Sequence, residues 1–216
     1  RVPEFDKKFN NADYSWFPTI GEEINGKTVG IVGTGHIGSV VARIMQAMGA
    51  KVVAYDIKPN PYLENLGIYV DSLDEVLKQA DILTLHTPLA KKDVHMIDAK
   101  AIAKMKDGVV IINAARGALI DTDALIAGLD SGKVGGAGLD VLESENAVFQ
   151  KKFNSLDDVK DPQFKALINR DNVIITPHTA FYTTTAVHNM VFDSLTDNLK
   201  MLENKTPKYP VDISED

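Results

Sequence analysis

The chain has 216 residues, 44% of them hydrophobic and 25% charged, with a net charge of −7 and no cysteine. This balance supports a sizeable core, while the excess of carboxylates and the lack of a long basic run argue against a nucleic-acid partner, which needs a dense positive face. Without thiols there are no disulfides, thiolate metal sites or thiol catalysis, and no apolar run approaches the ~20 residues of a membrane helix.

Residues 1–20 begin with neither Met nor a signal peptide. Tyr14, Trp16 and Phe17 there call for a packing partner, so the segment reads as an N-terminal arm from the middle of a longer protein. From residue 27 onward, short apolar runs alternate with helical spacing. "KTVGIVG" (27–33) predicts a strand, followed by Ile37, Val40, Val41, Ile44 and Met48 at helical positions, with Met45 and Met48 as packing residues. "KVVAYD" (51–56) predicts the next strand and "YVDSL" (69–73) a short one at most. Asp71 or Ser72 is placed to cap the helix around "LDEVLKQA". "DILTLH" (81–86), "VVIINAA" (109–115), "GAGLDV" (136–141) and "VIITP" (173–177) complete the strands. Asp121 or Thr122 opens the helix "DALIAGLDSG", and Gly132 closes it. Residues 143–164 form the longest irregular stretch. After it, "TTTAVHNMVFDSLTDNLKMLEN" predicts one amphipathic helix with Val187, Val191, Leu195, Leu199 and Leu202 on a stripe. Strands that read as continuous apolar runs, separated by helices, specify α/β architecture: a doubly wound parallel sheet of right-handed βαβ units. The expected layout is an arm (1–20), a dinucleotide-binding domain (21–181), and a C-terminal helix and tail (182–216).

The chemistry gathers at strand ends. Gly33, Gly35 and Gly38 spell G-x-G-x-x-G between a predicted strand and a predicted helix, the context that gives this pattern meaning. The first glycine makes a tight turn, the second lets backbone approach a pyrophosphate, and the third lets helix and strand pack closely. The amides of His36 and Ile37, at the helix N-terminus, would face the phosphates. Asp56 ends the second strand, where a carboxylate accepts from ribose hydroxyls and repels a 2′-phosphate, so the cofactor reads as NAD rather than NADP. Arg116 follows a buried strand, and its planar fork suits a carboxylate. Asp140 ends another strand with Glu143 and Glu145 close behind, and His178 follows the last one. One arginine, one or two acids and one histidine are thus expected on the rim that holds the dinucleotide. His86 reads as structural, and His95 and His188 as packing or surface residues. No spacing of His with Asp or Glu indicates a metal.

"VGTGHIG", "VAYD", "LHTP", "INAARGALIDTDAL", "GLDVLESE" and "ITPHTAFYT" together resemble the D-2-hydroxyacid dehydrogenases, in the branch of the D-lactate and D-2-hydroxyisocaproate enzymes. The resemblance runs through essentially the whole chain. It implies a cytoplasmic, homodimeric, NAD-dependent oxidoreductase acting on a small 2-oxo or 2-hydroxy acid, with an N-terminal catalytic domain that this chain lacks. It further implies that Arg116 grips the substrate carboxylate, that Glu145 pairs with the proton donor His178, and that Asp140 holds the nicotinamide carboxamide. Ala115, with the backbone around Thr87 and Pro88, would border the cofactor, and Phe181 would line the substrate pocket. Glu143 lies off the motif position and reads as a solvated loop residue. His178 follows Glu145 by 33 positions, a spacing that fits the lactate-type branch. Related transcriptional corepressors keep the same residues without being enzymes, so turnover of a 2-oxo acid is what separates an enzyme from an NAD-binding module.

Overall fold

The apolar runs become parallel strands. In the computed structural model, which describes residues 2–210, these are β1 (Thr28–Val32), β2 (Lys51–Tyr55), β3 (Ile82–Leu85), β4 (Val109–Asn113), β5 (Val134–Leu139) and β6 (Val173–Ile175). They form one six-stranded sheet in the order β2-β1-β3-β4-β5-β6, with every pair parallel. The chain runs outward from β1 to β2, then crosses back to lay β3 on the other side of β1. Such a reversal opens a crevice beyond the carboxyl ends of the two inner strands, where open α/β sheets bind their ligands. Both faces of the sheet are covered, so Ile31, Leu83, Leu85 and Ile111 are completely buried.

The helices are α1 (Val2–Asn10), α2 (His36–Ala47), α3 (Pro61–Glu64), α4 (Leu73–Gln79), α5 (Ala99–Lys104), α6 (Thr122–Ser131), α7 (Glu145–Val148), α8 (Pro162–Ile168) and α9 (Thr184–Leu202). Side chains of Asn60, Ser72, Asp98, Asp121, Asp161 and Thr183 accept a first-turn amide from α3, α4, α5, α6, α8 and α9 respectively. Each removes one of the orphan donors at a helix start. Of the alternatives open in the sequence, Ser72 and Asp121 are therefore the caps. Gly132 ends α6 in the left-handed region at φ 76°.

"YVDSL", expected as a short strand at most, contributes one parallel bridge, Ala54 to Tyr69, and its Ser72 caps α4. Two expectations need correction. The stretch 143–164 is not irregular: it holds α7, a 3-10 turn at Leu156–Asp158 with a Ser155/Asp158 capping box, and α8. Local capping orders it despite its polar composition. Met48 does not pack. The α2 face that meets the sheet carries Gly38, Val41, Ala42 and Met45, whereas Ile37, Val40, Ile44 and Met48 remain exposed.

The chain forms two compact units, one through Pro177 and one from His178 onward. In the second, Asp197 accepts from the amides of Lys208 and Tyr209 at 2.8 and 2.9 Å, which pins the tail to α9. Val191, Leu195, Leu199 and Leu202 on α9 are exposed, and Val187 is half-buried. Among the described residues no helix is long and apolar enough to cross a membrane.

Candidate dinucleotide and substrate site

At the end of β1 the chain turns through Gly33, whose φ of +89° only glycine adopts without strain. A Cβ there would also lie 2.6 Å from the carbonyl oxygen of His86. Gly38, inside α2, sits against the carbonyl of Gly33, so a side chain at either position would separate helix from strand. Gly35 differs from both. Its φ is an ordinary −64°, and a Cβ there would meet no protein atom within 4 Å. Neither backbone nor packing demands a glycine at 35; a ligand approaching from outside would. The residue begins α2, which has no side-chain cap and leaves His36 and Ile37 exposed in its first turn. Across the turn, Thr87 Oγ1 is buried with no hydrogen-bond partner, the single such side-chain atom among the described residues. Pro88, next to it, is exposed. An uncapped helix start, an unobstructed approach and an orphan hydroxyl fit the pyrophosphate of a dinucleotide. His86 is held at Nε2 by Thr84 Oγ1 at 3.0 Å, and its burial pushes the imidazole pKa down, which fits a structural residue.

Asp56 stands one residue beyond β2. Its Oδ2 accepts from Thr34 N at 2.6 Å and Thr34 Oγ1 at 3.0 Å, and its Oδ1 accepts from Lys58 N at 2.8 Å. The carboxylate therefore shapes its own turn as well as facing the crevice side of the sheet.

Beyond β4 the turn is built by Asn113, which is 1% exposed. Its Oδ1 accepts from Ala115 N at 3.0 Å, and its Nδ2 donates to Arg116 O at 2.8 Å. Both ends of one buried amide thus hold the peptide that presents Arg116. The arginine is exposed, donates through Nη1 to Ala115 O at 2.7 Å, and has no ion-pair partner among the described residues. Gly117 follows, pressed so closely on the backbone of Leu142 and Glu143 that a Cβ would overlap it. That approach brings the loop carrying Arg116 against the loop carrying Glu145. At the end of β5, Asp140 is buried, and its Oδ1 accepts from Thr176 Oγ1 at 2.5 Å, fixing where the chain leaves β6. Glu145 opens α7, is half-buried, and accepts from Leu142 N at 3.3 Å.

Glu143 is exposed, as expected of a loop residue, but it is anchored as well. Its Oε2 accepts from Thr122 N at 2.9 Å and Thr122 Oγ1 at 2.5 Å, and its Oε1 lies 2.5 Å from His95 Nε2. Burial works to raise the pKa of this carboxyl, but the Thr122 and His95 hydrogen bonds outweigh it and hold the group below the ordinary carboxylate value. The bond to Glu143 in turn raises the pKa of His95, helped by the charges of Asp121 and Asp98. His95 takes a left-handed φ of 56°, which histidine tolerates better than most residues. His95 is thus a tie between loops rather than a bystander.

His178 begins the second unit. It too has a left-handed φ, 55°, and its ring meets Phe181 edge to face at 6.2 Å. Phe181 is partly exposed. No group of three or more potential metal ligands occurs among the described residues.

The family model for the NAD binding domain of D-isomer specific 2-hydroxyacid dehydrogenases matches residues 1–180. This chain belongs to that family. As a member of the 2-hydroxyacid dehydrogenases it is 50% identical over 208 residues to the D-lactate dehydrogenase of Lactobacillus delbrueckii subsp. bulgaricus, an overlap of 96% of the chain and 62% of that protein. With the D-lactate dehydrogenase of Lactiplantibacillus plantarum it shares 51% over 203 residues, 94% of the chain and 61% of the relative. Among solved structures, the D-lactate dehydrogenase of Lactobacillus jensenii with NAD+ superposes with a TM-score of 0.86 at 43% identity, covering 98% of the chain and 63% of its own. The pyruvate reductase of Chlamydomonas reinhardtii gives 0.90 at 39% identity, covering 96% and 63%. The chain therefore spans a little over three-fifths of the relatives it matches. NAD is the cofactor of this 2-hydroxyacid dehydrogenase domain, and the glycine turn has the geometry to take it.

Sequence reading missed several residues of the site. Asn113 stands at a strand end in "INAARG", where a buried amide can brace a turn. Gly117 follows the arginine directly. Thr34, between two glycines, is buried and bonded to Asp56. For Glu143 and His95 no local signal exists, since they lie 48 residues apart.

Proposed function

We propose that the chain is the NAD-binding part of an NAD-dependent D-2-hydroxyacid dehydrogenase, D-lactate-like, that reduces a small 2-oxo acid of the pyruvate type. The observation that carries this reading is Arg116: an exposed guanidinium without an ion-pair partner among the described residues, fixed by Asn113 at the carboxyl end of β4. A guanidinium in that state is ready to take a substrate carboxylate in a bidentate grip. When bound, NADH supplies the hydride that the carbonyl carbon receives. His178 donates the proton that the carbonyl oxygen needs, so that C=O becomes CH–OH with atoms and charge in balance. Glu145 is the acid that the family resemblance assigns to the proton-donating step, and Arg116 also stabilises negative charge growing on the oxygen. Asp140 orients the nicotinamide carboxamide, and Phe181 lines the substrate side-chain pocket. Gly33, Gly35, His36, Ile37 and Gly38 receive the pyrophosphate, Asp56 the adenosine ribose, and Thr87, Pro88 and Ala115 the rest of the cofactor.

The likeness to D-lactate dehydrogenases at about half identity supports the substrate class. A homodimer, supported by the apolar face of α2 that the chain leaves uncovered, and a cytoplasmic location complete the proposal. The test is NADH oxidation with pyruvate in the protein that carries this chain. Arg116→Lys should raise KM for pyruvate about 10–100-fold by losing the bidentate geometry. His178→Gln should lower kcat by about 10²–10⁴ while NADH still binds. Absence of turnover with any small 2-oxo acid, or full turnover by His178→Gln, would overturn the assignment.

A further inference from the structure

Asp56 is the last link of a longer chain of hydrogen bonds. Behind it, Tyr69 Oη lies 2.9 Å from Thr34 Oγ1 and 2.8 Å from Asn60 N. Both ends fix the direction of every proton: a carboxylate only accepts, so Thr34 spends its single hydroxyl proton on Asp56 Oδ2, and a backbone N–H only donates. Tyr69 therefore accepts from Asn60 and gives its own proton to Thr34 Oγ1. Thr34, having accepted there, gives its hydroxyl proton to Asp56 Oδ2. The Asn60 side chain closes the circuit by donating through Nδ2 to Thr34 O at 3.0 Å. Thr34 is 1% exposed, so bulk water does not compete for its hydroxyl. Tyr69 is held in turn by backbone: its bridge to Ala54 is made by Ala54 N to Ile68 O at 2.7 Å and Val70 N to Ala54 O at 3.0 Å.

We propose that Tyr69 is a positioning residue for cofactor choice, locking the Asp56 carboxylate through Thr34 in the orientation that receives a ribose hydroxyl and refuses a 2′-phosphate. The inference rests on the reading of Asp56 as the ribose acceptor. A carboxylate offers about four lone-pair sites. Thr34 N, Thr34 Oγ1 and Lys58 N take three of them from within the chain, which leaves an Oδ1 site for a hydroxyl donor. A 2′-phosphate brings no donor to that site and meets a fixed negative charge. A carboxylate free to rotate could swing away from the phosphate; a locked one cannot. The lone bridge at Tyr69, all that is formed of the short strand, thus gains a purpose: it sets the far end of the relay.

NADH and NADPH are titrated by their own fluorescence into the unaltered chain, Tyr69→Phe, Thr34→Val and the double variant. Tyr69→Phe keeps the ring and removes the hydroxyl, and with it both the donor to Thr34 and the acceptor of Asn60 N. It should weaken NADH about five-fold and leave NADPH unchanged or tighter, because the loss of a charge-assisted partner is offset there by escape from repulsion. Thr34→Val should lower the NADH preference at least as far. The double variant should be no worse than Thr34→Val, since links in series do not add. A proportionate loss of both affinities with a lower melting temperature would make Tyr69 merely part of the fold and overturn the proposal, as would additive losses in the double variant. An unchanged preference in Tyr69→Phe overturns the relay while leaving Asp56 as the ribose acceptor. Equal binding of NADH and NADPH by the unaltered chain overturns that reading of Asp56 and the relay with it.

Discussion

Gly33 and Gly35 lie two residues apart in one turn and are glycine for opposite reasons. At 33 the chain itself forbids a side chain, through a positive φ and the His86 carbonyl. Gly33→Ala should therefore cost more than about 2 kcal/mol in urea denaturation. At 35 the chain leaves the space open, and on the proposed reading a pyrophosphate fills it. Gly35→Ala should stay within about 1 kcal/mol of the unaltered chain and yet bind NADH at least ~10-fold more weakly by fluorescence titration. If Gly35→Ala binds NADH normally, the phosphates do not approach there. The pair His95–Glu143 makes a pH prediction at the same scale. The raised pKa of His95 contributes stability that is complete below its ordinary value and is lost as pH rises through the folded value. The depressed pKa of Glu143 contributes stability present above its ordinary value and lost as pH falls through the folded one. The tie between the two loops should be firmest between those limits. The protection of the Thr122 amide relative to its intrinsic exchange should be highest in that window and fall on either side in the unaltered chain, while Glu143→Gln should show no such maximum. In that variant the His95 titration followed by NMR should move down.

At the scale of elements, the site depends on how loops are tied more than on the strands they leave. Asn113 satisfies both a donor and an acceptor of the turn beneath Arg116. Asn113→Ala strands both, and a buried unsatisfied group costs about 1–3 kcal/mol. The variant should lose that much stability and should also bind a carboxylate inhibitor of the 2-oxo acid class more weakly. Loss of stability alone would mean that the turn keeps its shape without the amide. The strands themselves were legible because burial on both faces makes each a continuous apolar run, and the caps because Ser72 and Asp121 stand immediately before helical spacing. The glycine turn was legible because Gly33 and Gly38 serve local geometry and Gly35 stands between them at the motif's spacing. The anchoring of Glu143 was missed because nothing near it in sequence separates an anchored acid from a solvated one; His95 and Thr122 reach it only after β3, β4 and β5 are aligned. Tyr69 escaped notice for the same reason, being 35 residues from Thr34. The outward face of α2 shows a further limit: periodicity identifies an apolar stripe, but Gly38 and Ala42 decide which side meets the sheet.

For the whole molecule, that outward face is the main uncovered apolar surface on a helix of the first unit. Ile37, Val40 and Ile44 on α2 and Met48 at its C-cap are 68%, 42%, 48% and 49% exposed, a contiguous stripe rather than scattered surface hydrophobes. Ile44→Glu should shift the light-scattering mass toward the monomer without lowering the unfolding midpoint at low protein concentration, because the side chain has little to lose inside one copy. A chain that is monomeric at every concentration before mutation would remove the reason for the dimer. The way this sheet ends bears on which association is open to it. An outer strand with unpaired amides and carbonyls invites a foreign strand to add on, the first step toward fibrils. Here β2 is stitched at Ala54 by the Tyr69 bridge, and β6 offers only three residues. Such short, interrupted borders are poor templates for strand addition. Self-association of this unit should therefore proceed through helix side chains and close at a defined size, and agitation should yield little thioflavin-binding material even where the helices find partners.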